Sequence, residues 1–349
     1  MKICFATYEG VPLAKGGPFI KIIEIKKELE KLGHTVELFN MWDSSEKINQ
    51  FDIIHLVGSN FSIYGFARNL YFRKIDFIVE PVFYSNHGKI FLRAAAAAGT
   101  MAKKFVPGLW LDYGFIKDIC GWSELIVPNT SEEMHLVSGA FNIPLEKFKI
   151  IPNGVSERFL NPDPELFIKK YGIKDFILNV GHIGPKRKNI LNLVKALQGI
   201  NHPAVIIGKM LNTGEMKEID KTAYKNKNLL FIEELPNDSP MLASAYAACD
   251  TFVLPSMFET PGIAALEAAL AGAKIVITPY GGTKEYFKDL ALYVEPDSPA
   301  SIAAGLQNSL ELKKSGELKK FIADNFLWEK VAAISVKIYE KFKNINNPA

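Results

Sequence analysis

The chain contains little that would indicate a secreted, metal-binding or membrane-spanning protein. Its 349 residues include only three cysteines, and none of them stands in Cys-x-x-Cys spacing. Such scattered thiols indicate a reducing compartment, with neither a disulfide framework nor a zinc site. No apolar run reaches the roughly 18 residues that a membrane-spanning helix needs. The start, MKICFATYEG, is typical of a first strand and not of a signal peptide, so we expect a cytoplasmic protein.

The chain also lacks a large excess of charge of either sign. Lysine and arginine total 41 against 38 aspartates and glutamates, and the resulting net charge of +3 is too small to indicate nucleic acid as a partner. The hydrophobic content of 48% is typical of a globular protein. A length of 349 residues exceeds one ordinary core and predicts two domains.

Short apolar runs alternate with helical patterns along the whole chain, which predicts an α/β protein with parallel sheets covered by helices. In the first half the predicted strands are Lys2–Thr7, Thr35–Asn40, Asp52–Gly58, Phe77–Ser85, Glu124–Asn129 and Lys147–Pro152. In the second half they are Phe176–Gly181, Ala204–Gly208, Leu229–Leu235, Thr251–Ser256, Lys274–Thr278 and Leu292–Pro296.

The stretch PNGVSERFLNPDP has the composition of a linker and separates the two halves. We therefore expect an N-terminal Rossmann-like domain over residues 1–160 and a C-terminal one over residues 161–327. Two doubly wound domains bind ligands where the carboxyl ends of their strands meet in a cleft. The last segment, residues 328–349, contains an amphipathic helix with no strand after it.

The segment FETPGIAALE places two glutamates, Glu259 and Glu267, eight residues apart after a predicted strand. Thr260 is expected to cap a helix and Pro261 to occupy its first position. The two carboxylates would then flank a helix N-terminus, which favours an anion such as phosphate. The alternative is an ordinary strand-to-helix unit with glutamates on a solvated face, and the segment alone leaves both open.

Three other loops carry candidate ligand-binding groups. Lys15-Gly16-Gly17-Pro18 precedes a helix and would let a phosphate approach the backbone, although it is not the G-x-G-x-x-G dinucleotide fingerprint. The cations of Lys186–Lys188 could neutralise a diphosphate. His87 stands at the end of a predicted strand and could be catalytic. An ordinary turn, a solvated charge run and a structural histidine are the respective alternatives.

The order of these motifs resembles the retaining GT-B glycosyltransferases of family GT4, the glycosyl transferases group 1. The resemblance extends over nearly the whole chain. It is carried by the Gly-Gly loop, the NHG of residues 86–88, IIPNGV at 150–155, the basic loop after Val180-Gly181, the E-x7-E of Glu259 and Glu267, and GGTKEYF at 281–287.

The resemblance implies a GT-B fold: two doubly wound Rossmann-like domains facing a central cleft, with the C-terminal helix crossing back to the first. It also implies that a sugar moves from a nucleotide-diphosphate sugar to an acceptor with retained configuration. Glu267 would grip the ribose hydroxyls, and Glu259 the hydroxyls of the donor sugar. Because no Asp-x-Asp ends an apolar strand, we expect neither a metal nor a cofactor; the nucleotide sugar is a substrate.

The candidate catalytic residues are therefore His87 and Glu259. The candidate donor-binding residues are Gly16, Gly17, His182, Arg187, Lys188, Glu259, Thr260, Pro261, Gly262, Ile263 and Glu267. His182 stands where the family often has an arginine, so the choice of diphosphate ligand among Lys186, Arg187 and Lys188 stays open.

The expected partners are a nucleotide-sugar donor and a saccharide, lipid-linked or small-molecule acceptor. Between residues 88 and 122, cations are interleaved with apolar residues, which suggests a weak peripheral contact with an inner membrane face or, alternatively, an ordinary core helix. Its cations are Lys89, Arg93, Lys103, Lys104 and Lys117, and its apolar residues are Phe91, Leu92, Phe105, Leu109 and Trp110. A GT-B sugar-nucleotide epimerase and a non-catalytic two-domain binding protein are the competing functions.

Overall fold

Parallel sheets form the framework of two units in a computed structural model of the chain, which describes residues 1–14, 16–44, 46–105 and 112–346. The first unit comprises Met1–Asn153 and the helix that begins at Trp328. The second comprises Gly154–Leu327, so the division falls a few residues before the predicted boundary at residue 160.

The first unit has a five-stranded sheet in the order β2-β1-β3-β4-β5, with every neighbouring pair parallel. Its strands are β1 (Lys2–Thr7), β2 (Thr35–Leu38), β3 (Ile53–Val57), β4 (Ile78–Glu80) and β5 (Leu125–Ile126). Its helices are α1 (Val11–Ala14), α2 (Gly17–Lys31), α3 (Phe61–Phe72), α4 (Lys89–Phe105), α5 (Asp112–Trp122) and α6 (Ser131–Phe141).

The second unit has a six-stranded parallel sheet in the order β11-β10-β9-β6-β7-β8. Its strands are β6 (Phe176–Val180), β7 (Ala204–Ile207), β8 (Leu229–Ile232), β9 (Cys249–Leu254), β10 (Lys274–Ile277) and β11 (Leu292–Tyr293). Its helices are α7 (Glu165–Tyr171), α8 (Ile190–Leu197), α9 (Met216–Ala223), α10 (Pro240–Ala248), α11 (Ile263–Leu270), α12 (Thr283–Phe287), α13 (Pro299–Glu311) and α14 (Glu317–Phe326).

Each sheet is covered on both faces, as a doubly wound sheet must be. In β3, Ile54 and Leu56 pack into one hydrophobic cluster, whereas Ile53 and Val57 pack into another. Successive residues of a strand point to opposite faces, so these two clusters lie on opposite sides of the sheet. The near-continuous apolar runs that predicted the strands follow from this double burial.

The last helix, α15 (Trp328–Asn346), returns to the first unit and packs against α2. Val331 and Phe342 are buried in the same hydrophobic cluster as Ile22 and Ile25 of α2. The expected crossing back of the C-terminal helix is therefore confirmed.

Except for Lys2–Thr7, every predicted strand in the first unit is shorter in the structure or absent from it. The run from residue 147 to 152 forms no strand and contributes only a bridge between Phe148 and Ile126. Strand β4 ends at Glu80, because Pro81 has no N–H to continue a ladder and Val82 has a positive φ of 51°. His87 consequently lies in a loop, several residues beyond the strand end where it was expected.

Among the described residues, no helix is both long and apolar enough to cross a membrane.

Candidate active site

The loop that follows β9 carries the first of the two glutamates and delays the start of α11. Gly262 is the N-cap, with a φ of 87° that no helical residue has, so helical geometry begins only at Ile263. The predictions that Thr260 caps this helix and that Pro261 occupies its first position are therefore wrong. As a glycine, the N-cap has no side chain that could cap the first N–H groups of α11. The end of the helix remains suited to an anion.

Glu259 is buried and lies against the turn formed by Lys186–Lys188, called the basic turn below. Its Oε1 is 2.6 Å from Lys188 Nζ and 3.5 Å from Arg187 Nη1, and it accepts a hydrogen bond of 2.7 Å from Ser256 Oγ. Burial alone would raise the pKa of Glu259, but the charges of Lys188 and Arg187 outweigh it and the pKa lies below its usual value. Glu259 is therefore an ionised carboxylate inside a cluster of cations.

The basic turn is locked onto the Glu259 loop by backbone and amide contacts. Lys186–Lys188 form a single 3-10 turn, and Asn189 follows in the left-handed region with a φ of 58°. Its Nδ2 donates to the carbonyls of Pro255, at 2.8 Å, and Pro296, at 2.7 Å. The N–H of Met257 donates to the carbonyl of Arg187 at 2.9 Å. The backbone that carries the cations is thus held in place by the fold, which a solvated charge run would not require.

A third segment, the turn at Gly281 and Gly282 before α12, packs against the backbone of the Glu259 loop. The Glu259 N–H donates to the Tyr280 carbonyl at 3.0 Å. Gly281 has a φ of 94°, and a Cβ added to it would lie 2.4 Å from the Glu259 carbonyl oxygen. Only glycine allows the two backbones to approach this closely.

Glu267 lies within α11 and is also buried, with 3% of its surface exposed. Its Oε1 accepts a hydrogen bond of 2.7 Å from Asn237 Nδ2, and its Oε2 accepts one of 2.9 Å from the Tyr246 hydroxyl. Solvent-facing glutamates were the alternative explanation of this motif. The burial of Glu259 and Glu267 argues against it, because carboxylates are buried only where they are paired or have a role.

His182 follows β6 in a loop that packs tightly on the end of β7. A Cβ on Gly208 would lie 1.8 Å from the Gly181 carbonyl oxygen, and the N–H of Ile183 donates to the Lys209 carbonyl at 2.9 Å. His182 itself is half-buried, in the same loop that leads to the basic turn.

In the first unit, the Gly-Gly loop stands at the N-terminus of α2. Gly16 is the N-cap, Gly17 is the first helical residue and Pro18 follows it. The predicted helix N-terminus is present, but it includes Gly17, which was expected to precede the helix. A Cβ on Gly16 would meet no atom of the described residues beyond its chain neighbours within 4 Å. Lys15 lies outside the described residues.

His87 is exposed in the loop before α4. Its N–H donates to Ser85 Oγ at 3.1 Å, and its ring lies 4.5 Å from the ring of Phe91. The start of this loop is held by Glu133 of α6, whose Oε1 accepts from the Phe83 N–H at 2.8 Å. Burial raises the pKa of Glu133 to about 7, although hydrogen bonds from Phe83 and Asn129 oppose the rise.

Several residues of the second-unit site escaped the sequence analysis. Ser256, Tyr246 and Asn237 contact the two glutamates, and Asn189 fixes the basic turn. Asn189 directly follows three cations, and this position in the sequence could have indicated that it fixes the basic turn. Tyr246 in an alanine-rich helix is typical of a core residue, and Asn237 in LPNDSP is typical of a turn, so neither pattern indicates a role.

Across the described residues, no three histidine, cysteine, aspartate or glutamate side chains come together as metal ligands do.

The second unit matches a known family over almost its whole length. Residues 165–325 match the model described as Glycosyl transferases group 1. This part of the chain belongs to the glycosyl transferases group 1. The expected family is thereby confirmed for the unit that contains Glu259, Glu267 and the basic turn.

Curated relatives of the chain are glycosyltransferases. An uncharacterized glycosyltransferase of Methanocaldococcus jannaschii is 29% identical over 58% of this chain and 56% of its own length. A D-inositol 3-phosphate glycosyltransferase of Geodermatophilus obscurus is 26% identical over 62% of this chain and 52% of its own. The chain thus spans just over half the length of these relatives.

Solved structures confirm the GT-B fold of the chain. The Anabaena protein HepE, solved in complex with UDP and glucose, superposes with a TM-score of 0.71 over 98% of this chain and 100% of its own. The sequence identity is 16%, so this likeness shows the fold alone. Two Rossmann-like domains in one chain were the architecture expected from the sequence.

The close approach of Gly281 to Glu259 makes Gly281→Ala a test of how the loop is held. We expect it to lower the free energy of unfolding by a left-handed strain of about 1–2 kcal/mol and by about 1–3 kcal/mol of steric overlap. Gly272→Ala is the matched control, because Gly272 has a φ of 95° but a Cβ there meets nothing within 4 Å. Urea unfolding measures both variants, and equal losses would show that Glu259 does not depend on this contact.

Proposed function

We propose that the protein is a retaining glycosyltransferase that moves a sugar from a nucleotide-diphosphate sugar to an acceptor without a metal ion. The observation that carries the proposal is the cluster in the second unit. There, a buried carboxylate holds two cations beside a helix N-terminus, and a second buried carboxylate lies within the same helix.

The chemistry of glycosyl transfer explains why such a cluster is needed. As the bond between sugar and diphosphate breaks, negative charge grows on the departing phosphate. Fixed cations and N–H donors lower the barrier because they stabilise that charge without reorganising. Lys188 and Arg187 supply the cations, and the start of α11 at Gly262 and Ile263 supplies the N–H groups. Lys188, already fixed by Glu259, is our choice for the principal diphosphate ligand.

The two carboxylates would bind hydroxyls at opposite ends of the donor. Glu267 would accept from the ribose hydroxyls and Glu259 from a hydroxyl of the transferred sugar. Thr260, Pro261 and His182 belong to the loops that would surround this donor, and Gly16 and Gly17 would let a phosphate approach the N-terminus of α2. His87 would contact the sugar near its anomeric carbon.

The nucleotide is the first thing to establish. HepE was solved with UDP, so we propose UDP as the first candidate, with GDP and ADP beside it. A thermal-shift screen with the three diphosphates and their sugars identifies the donor, because a ligand that binds only the folded state raises the melting temperature. Assays of nucleoside diphosphate release then separate a transferase from an epimerase, which interconverts sugars, and from a protein that only binds.

Glu267→Ala is expected to weaken nucleoside diphosphate binding by roughly 1.5–3 kcal/mol, since it removes a charged partner of the ribose hydroxyls. Isothermal titration calorimetry measures the loss. An unchanged affinity would remove Glu267 from the nucleotide site.

His87→Ala is expected to spare nucleoside diphosphate binding and to reduce turnover, because its proposed partner is the sugar. Glu259→Ala is expected to reduce turnover more than nucleoside diphosphate affinity, because it removes the proposed partner of the sugar as well as the carboxylate that holds Lys188. The expected signature is a large fall in kcat with a small change in nucleotide affinity. Equal loss of affinity for the nucleotide with and without its sugar would reverse the roles of Glu259 and Glu267. Near-normal turnover of His87→Ala would make that histidine structural.

For the acceptor we propose a lipid-linked molecule reached by a peripheral contact at the cytoplasmic membrane face. On α4, Ile90 is 87% exposed and Phe105 is 78% exposed, and Lys89 and Arg93 are exposed on the same helix. Exposed apolar residues beside cations suit an anionic membrane surface, where each cation contributes about 1 kcal/mol. Leu92 is fully buried and takes no part. Leu109, Trp110 and the side chains of Lys103 and Lys104 lie outside the described residues.

Liposome flotation at low salt tests this contact. We expect the protein to float with anionic vesicles and not with neutral ones. We expect the double variant Ile90→Ser/Phe105→Ser to remain in the soluble fraction even with anionic vesicles. Tyr224→Ser is the control, since Tyr224 is 93% exposed in the second unit. Wild-type protein that remains in the soluble fraction with anionic vesicles would point to a soluble acceptor.

A further inference from the structure

The Tyr246 hydroxyl is the first of two groups that fix the side chain of Glu267. Tyr246 lies on α10 and is fully buried, with its ring packed near the rings of Phe159 and Phe252. A phenylalanine would satisfy that core equally well, and the hydroxyl would be costly to bury without a partner. Its partner is Glu267 Oε2, at 2.9 Å. The presence of a hydroxyl at this buried position is therefore explained by its hydrogen bond to Glu267 and not by packing in the core.

The Tyr246 hydroxyl keeps its proton, so it is always the donor in the hydrogen bond to Glu267. Burial, and then the negative charge of Glu267, raise the pKa of Tyr246 well above its usual value. The phenol accordingly stays protonated and donates to the carboxylate.

Asn237 is the second group, and its amide has only one sensible orientation. Its Nδ2 donates to Glu267 Oε1 at 2.7 Å, while its Oδ1 accepts a hydrogen bond from Arg158 Nη2. A cation must face the amide oxygen and a carboxylate must face the amide nitrogen. Arg158 thereby orients Asn237, and Asn237 orients Glu267.

We propose that Tyr246 and Asn237 are positioning residues that set the Glu267 carboxylate for recognition of the ribose hydroxyls. This inference rests on the proposed function, in which Glu267 accepts from the ribose. Each carboxylate oxygen is tied to a different segment, Asn237 on the loop before α10 and Tyr246 on α10 itself. The carboxylate plane is therefore fixed before any nucleotide arrives.

A fixed carboxylate should discriminate between hydroxyl patterns. A side chain that is already ordered loses no rotamer freedom on binding, and its acceptor directions are set to within a narrow angle. Loss of one anchor lets the carboxylate rotate, and the advantage of a ribose over a deoxyribose then shrinks. General damage to the site would instead weaken the binding of both nucleotides alike.

The test measures the ratio between the affinity for the ribonucleotide and the affinity for its deoxy analogues. Calorimetry gives the affinity of the wild type for UDP, or for whichever of UDP, GDP and ADP stabilises it most, and for the matching 2′-deoxy and 3′-deoxy diphosphates. We expect the wild type to prefer the ribonucleotide, and Tyr246→Phe and Asn237→Leu each to cut that preference by roughly 3- to 10-fold. Tyr293→Phe is the matched control, because its hydroxyl donates to the Lys288 carbonyl at 2.6 Å, in a different contact of the same unit.

The outcomes separate this inference from the function on which it rests. A wild type that discriminates, with both variants keeping the full ratio or losing affinity for all the nucleotides equally, would overturn the positioning role and leave the proposed function intact. A wild type that binds the nucleotide but ignores the ribose hydroxyls would overturn the ribose role of Glu267 as well. A selective loss in Tyr246→Phe and Asn237→Leu, with Tyr293→Phe unchanged, supports the inference.

Discussion

The buried ion pair between Glu259 and Lys188 is the contact on which the second-unit site depends. A carboxylate removed from water is costly unless charge and hydrogen bonds replace its hydration. Here the replacement comes from the basic turn and from Ser256, which reach Oε1 from different points in the chain. Three loops therefore have to converge, and the positions of Asn189 and Gly281 follow from that requirement.

The sequence predicted the sheets well because their signal is local. Strands buried on both faces are apolar runs, and such runs stand out against helical periodicity. The predictions were wrong where the backbone leaves the strand ladder despite an apolar pattern. The segment from residue 147 to 152 is apolar but makes only one bridge, and Val82 turns the chain away after β4 despite the apolar residues that follow.

The candidate site could be predicted only in part, for a related reason. Glu259, Glu267 and the basic turn were found through motif spacing, which survives in a linear sequence. The start of α11 was placed too early, because a left-handed Gly262 cannot be distinguished by sequence from a glycine within the first helical turn. Tyr246 and Asn237 were missed because their significance lies in a partner that is 21 and 30 residues away.

The two glutamates of the motif have the same chemistry but different hydrogen-bond partners, and this contrast suggests a division of labour in the proposed reaction. Glu259 is compensated by cations, which makes it a weaker acceptor but gives Lys188 a fixed place beside the start of α11. Glu267 is held by the hydroxyl of Tyr246 and the amide of Asn237, which fix the direction of its two oxygens. An aligned carboxylate in a site shielded from water is a strong acceptor for a hydroxyl. One carboxylate is thus suited to placing the charge that the leaving group needs, and the other to recognising a neutral hydroxyl.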